Sequence, residues 1–74
     1  MDQVVLDVLA AIEAADRERT KPLLHPYLHW TGPDGRMVRG RAVALGRLPR
    51  RPPAGLPVRY GLPDGQACRW VEVS

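Results

Sequence analysis

One cysteine constrains this chain more than any other feature. Cys68 has no partner within the 74 residues, so no internal disulfide can staple the fold. A chain this short buries only about 60% of the surface its unfolded form exposes. Chains of that size generally lean on a disulfide, a metal or a partner chain. One cysteine with two histidines is a poor set of zinc ligands, so no metal or other cofactor is expected, and a partner chain becomes the expected source of extra burial. The lone thiol also suits a reducing compartment. The apolar stretch Val8–Ile12 is too short for a membrane span or a signal peptide, and Asp2 stands where a basic leader would begin. The expectation is one cytoplasmic domain over residues 1–74.

The net charge of +3 is unevenly spread. Residues 1–20 carry Asp2, Asp7, Glu13, Asp16 and Glu18 against Arg17 and Arg19. Residues 36–51 carry Arg36, Arg39, Arg41, Arg47, Arg50 and Arg51 with no acid. That segment could meet phosphates or an acidic partner. A basic stretch is more often a solvated face, so nucleic acid is not the expected partner.

Periodicity supplies the elements. Residues 2–15 read as an amphipathic helix with Val5, Val8, Leu9 and Ile12 on one stripe and Asp2 as N-cap. Asp16 can cap a second, short helix over 17–24, kinked or partly 3₁₀ because Pro22 removes a donor. Pro26 ends it. Residues 27–31 alternate as a strand, with Leu28 and Trp30 on one face. Gly32-Pro33-Asp34-Gly35 is a turn, and Arg36–Arg39 returns as a short strand with Met37 or Val38 inward. A third helix follows over 41–48, although Arg41 in its first turn opposes the helix dipole. Residues 49–57 hold four prolines and read as an extended connection. Val58–Leu62 and Gln66–Val73 close the chain as a hairpin around Asp64-Gly65, a favoured type I′ pair. A two-residue loop sets Arg59 opposite Trp70 and Tyr60 opposite Arg69, with Val71 on the core face and Trp70 on the other.

The segments Ala11–Asp16, Leu23–Trp30, Gly32–Gly35 with Arg39–Val43, and Asp64–Gln66 with Arg69-Trp70 together resemble the nuclear transport factor 2-like (SnoaL-like) superfamily, the last pair resembling a hairpin of short actinobacterial members. The resemblance runs from about residue 4 to 71. It implies an α+β fold: a cone-like curved antiparallel sheet packed on helices, in the order helix, helix, strand, strand, helix, hairpin. This chain would be a shortened version, ending before the strands that complete the cone. The resemblance also implies a homodimer packed sheet on sheet and a small apolar ligand inside the cone. Leu28, Trp30, Met37 and Tyr60 are the expected pocket lining, and Trp70 with Arg59 opposite would make a cation–π contact at a dimer face.

Catalysis finds less support. Superfamily isomerases and cyclases use an acidic base beside the pocket, and that position falls near Thr31, which cannot serve. Asp34 is the nearest acid, but Asp between Pro and Gly is primarily a turn former. His25 and His29 are four apart, yet Pro26 prevents them from sharing a helical face. Cys68 is expected to be an inert strand thiol. The expected function is thus a non-catalytic, dimerising or small-ligand-binding accessory module, with a cyclase or isomerase of apolar carbonyl compounds, or a basic adaptor, as alternatives.

Overall fold

A computed structural model describes residues 2–73. It contains α1 (Gln3–Glu13), α2 (Arg17–Thr20), a 3₁₀ turn (Lys21–Leu23), β1 (Leu24–Thr31), β2 (Met37–Arg39), α3 (Arg41–Arg47), β3 (Arg59–Gly61) and β4 (Ala67–Val71). The class is α+β, as expected, but the sheet is mixed and remains open. Its strand order is β2-β1-β4-β3. The two hairpins are antiparallel, while the central pair, β1 with β4, runs parallel. The expectation of a purely antiparallel sheet is corrected there. The segment holding α3 and the proline-rich connection carries the chain from one sheet edge to the other, and β4 then lies beside β1.

Local chemistry sets the boundaries. α1 stops two residues earlier than its apolar stripe suggests. Ala15 takes φ 55°, and the N–H groups of Asp16 and Ala15 return to the carbonyls of Ala11 and Ile12. That is a Schellman stop built on alanine rather than glycine. It frees Asp16 to cap α2, where its carboxylate accepts from the Arg19 N–H at 3.0 Å. Asp2 sits at the N-cap position of α1 but does not cap it with its side chain. Its carboxylate instead accepts from the Tyr60 hydroxyl at 2.9 Å, tying the first helix to β3. This bond raises the Tyr60 pKa, because the carboxylate beside it holds the phenolic proton. Arg41, odd at a helix N-terminus, donates to the Leu24 carbonyl at 3.4 Å. Leu24 lies where β1 and β4 lose regular register, and the guanidinium meets an oxygen there.

The hairpin departs from expectation by one residue. Asp64 and Gly65 both adopt positive φ, 56° and 76°, and the Gln66 N–H returns to the Pro63 carbonyl, so the type I′ turn forms. Beyond it the ladder pairs Arg59 with Val71, Tyr60 with Trp70 and Gly61 with Arg69. One extra residue on the β4 side reverses the faces of the residues beyond it, while Ala67 keeps its expected place in the core. Trp70, not Val71, therefore faces the helices. The register then aligns Val38, Trp30, Trp70 and Tyr60 in one row across all four strands. Beneath the helices this row joins Val5, Val8, Ile12, Leu24, Leu28, Leu45 and Leu48 in the core.

α3 enters through Gly40 at φ 92°, ψ 139°, a conformation close to the glycine-only region, with open space around its α-carbon. Gly40→Ala should therefore cost about 1–3 kcal/mol from backbone strain alone. Gly46→Ala, inside α3 and equally unhindered, should gain up to about 1 kcal/mol. Urea unfolding of the two variants reads the opposite signs directly, and equal signs would contradict the backbone assignment at Gly40.

Candidate functional site

A cavity lies between α3, the start of the proline-rich segment and the Trp30 end of the sheet. It measures about 360 Å³. Trp30, Val38, Ala44 and Leu48 make its apolar floor, while Asp34, Arg36, Arg47, Arg51 and Glu72 bring charge to it. Each arrives for a local reason. The Gly32–Gly35 turn is closed by two backbone bonds, Gly32 N–H to the Arg36 carbonyl at 2.8 Å and Gly35 N–H to the Gly32 carbonyl at 3.0 Å, which holds Asp34 and Arg36 at the rim. Arg47 and Leu48 follow from the helical spacing of α3. Glu72 leaves the end of β4 with its N–H bonded to the Thr31 carbonyl at 2.9 Å.

Trp30 joins the cavity to the core. Its ring is almost wholly buried and stacks on Trp70 with centroids 4.6 Å apart and planes 6° from parallel. Its indole N–H donates to the Glu72 carboxylate at 2.8 Å. The Trp70 indole N–H, fully buried, has no acceptor among the described residues. Asp34 accepts from the Arg36 N–H at 3.1 Å and lies 3.6 Å from the Arg36 guanidinium. The backbone donor, with smaller help from the Arg36 and Arg51 charges, holds the Asp34 carboxyl below the ordinary aspartate range. A Cβ on Gly32 would come within 3.2 Å of an Asp34 oxygen and 3.7 Å of a Glu72 oxygen, so glycine there lets two carboxylates flank one point.

Of the expected pocket residues, only Trp30 lines this cavity. Leu28 is fully buried in the core. Tyr60 packs at the other end of the Trp row and holds Asp2. Met37 is exposed, because strand alternation turns Val38 inward and Met37 out. The expected Arg59–Trp70 surface pair is also corrected. Trp70 is fully buried and Arg59 pairs with Val71 on the outer face. Thr31 shares that outer face with Met37 and Val71, away from the cavity floor. His25 accepts from the Tyr27 N–H through Nδ1 at 3.0 Å, and Cys68 is a half-buried free thiol. Among the described residues no group of three metal-binding side chains gathers, and no helix is long and apolar enough to cross a membrane.

The sequence pattern did not single out Glu72, and it offered Arg47 and Arg51 only as part of the basic segment from Arg36 to Arg51. Glu72 had one visible signal, an acid two residues from a tryptophan at the chain's end, but its partner Trp30 lies 42 positions away. A second cleft of about 480 Å³ between α1 and the proline-rich segment brings only one charged side chain, Glu13. No family model matches the chain, nor does any curated protein or solved structure.

Two outcomes follow. Trp30→Phe should cost about 1–2 kcal/mol more than Trp70→Phe in urea unfolding, since the first leaves Glu72 without its donor and the second removes an unpaired N–H. A carboxyl-detected NMR titration should place Asp34 below free aspartate, and Arg36→Ala should preserve most of that depression because the main donor is backbone. With the folded pKa lowered, the stabilisation linked to Asp34 is complete above its unfolded pKa and is lost as pH falls through the folded one.

Proposed function

We propose that this chain is a non-catalytic small-ligand-binding module of SnoaL-like type, and that the cavity on Trp30 takes a compact, largely apolar molecule bearing an anionic group. The observation that carries this reading is the pairing of an apolar floor with three lining arginines, Arg36, Arg47 and Arg51, in one cavity of about 360 Å³. That volume suits a small ligand, at the low end of such sites. Arg36 is partly engaged by Asp34. Arg47 and Arg51 make no ion pair among the described residues and remain available to an anion.

Two observations favour binding over the alternatives. An acid–base enzyme at this cavity would have to use Asp34 or Glu72. Asp34 is held ionised by the Arg36 N–H, which makes it a weak base, and Glu72 already accepts from Trp30. For a dimer packed sheet on sheet, a twofold contact through the outer face would gather Arg39, Arg59 and Arg69 of both chains into one interface whose strand positions offer no carboxylate. Burial does not require such a contact either. The accessible surface, 4805 Å², is close to the roughly 4500 Å² of a compact monomer of this mass. The edge strands β2 and β3 are three residues long and carry Arg39 and Arg59, which blunts edge pairing.

Ligand-observed NMR with a panel of small aromatic and alicyclic carboxylates tests the reading. Binding is expected for the wild type and should be lost in Ala44→Leu, which fills the floor. It should weaken about tenfold when Arg47 and Arg51 are both glutamine. Carboxylates that bind the Ala44→Leu variant equally well would refute the site.

A further inference from the structure

The outer face of the sheet supports a different interaction from the cavity. Strand alternation and register bring Arg39, His29 and Arg69 into one row across β2, β1 and β4. The neighbouring row runs Met37, Thr31, Val71 and Arg59. Tyr27, two residues before His29, is 77% exposed, and its ring lies 5.7 Å from that of His25. The outward positions of the four strands hold no Asp or Glu.

This arrangement has no counter-charge inside the fold. Arg39 and Arg69 sit about 10 Å apart across β1, about one Debye length at 0.1 M salt, so their mutual repulsion is modest, and Arg59 lies diagonal to Arg69. Among the described residues the one ion pair is Arg36 with Asp34, so no carboxylate offsets the row. These arginines belong to three different strands, and only Arg39 comes from the basic run between Arg36 and Arg51. A partner that engages all three arginines at once has to be an anion broad enough to span the sheet.

We propose that the outer sheet face binds single-stranded nucleic acid, with Arg39, Arg69 and Arg59 on phosphates and Tyr27 stacking a base. Charge complementarity selects a polyanion. The exposed ring beside the arginines selects nucleic acid over an acidic peptide, because bases stack on flat side chains whereas carboxylates gain nothing from them. A single strand suits an open sheet face, and the protein's greatest extent of 26 Å limits the site to a few nucleotides.

Fluorescence anisotropy of labelled twelve-nucleotide oligouridylate and oligothymidylate, between 50 and 200 mM salt, decides it. Binding that weakens steeply with salt is expected. Arg39→Gln and Arg69→Gln should each reduce the log–log salt slope by about 0.7. Arg50→Gln, which removes the same charge from the proline-rich segment, should leave the slope unchanged. Tyr27→Ala should weaken binding about tenfold with the slope preserved. All four side chains are exposed, and circular dichroism confirms folding. No salt-dependent binding, equal effects of Arg50→Gln and Arg69→Gln, or binding of polyglutamate as tight as that of the oligonucleotides would overturn the proposal.

Discussion

The stacking of Trp30 on Trp70 holds the two halves of this protein together. The rings belong to β1 and β4, strands 40 positions apart that pair in parallel at the centre of the sheet. Parallel pairing needs a long crossover and gains slightly less per residue than antiparallel pairing. Two large aromatic faces in contact supply what the ladder alone does not. An offset stack is worth about 0.5–1.5 kcal/mol beyond its area, in a domain with a core of some dozen side chains. The Glu72–Trp30 bond fixes the end of β4 against the same ring, so one residue orders the sheet centre, the C-terminal strand and the cavity floor.

Much of this was readable from local pattern. The stripe of α1, the Asp16 cap, the 3₁₀ character around Pro22, the Gly32–Gly35 turn and the left-handed pair Asp64-Gly65 depend on residues within a few positions of each other. What failed depends on counting across a ladder. A single extra residue after the turn moved Trp70 from the surface to the core, since a slip of one inverts every side chain beyond it. Turn chemistry fixed the loop and left the neighbouring bulge unspecified. The candidate site failed for a related reason. Glu72 and Trp30 meet only because β4 lies beside β1, and nothing in the chain's periodicity announces a parallel partner. Arg41 shows the same limit, because its acceptor, the Leu24 carbonyl, is a product of the irregular register in β1.

The arginines look uniform along the sequence and divide in space. Arg36, Arg47 and Arg51 converge on the cavity beside two carboxylates. Arg39, Arg59 and Arg69 lie on the opposite side of the sheet with no acid. Charge near a carboxylate in a partly apolar cleft favours a small, oriented anion. An unbalanced row on an open face favours an extended one. A sheet one layer thick separates the two environments, and its alternating side chains decide which arginine joins which.

That separation has an energetic consequence for a domain of this size. Trp30 is simultaneously cavity floor and half of the central stack. A ligand seated on it binds a surface that exists only when β1 and β4 are joined, so occupancy must stabilise the fold as well as fill the site. At a hundredfold excess over its dissociation constant, such a ligand adds about 2.7 kcal/mol. That is as large as the loss from a severe core substitution. With no disulfide available to Cys68, ligand occupancy is one way for this fold to gain stability without changing its sequence. The outer face lacks that coupling to the core. Its arginines are exposed, so a polyanion there would act on their charges more than on the packing beneath them.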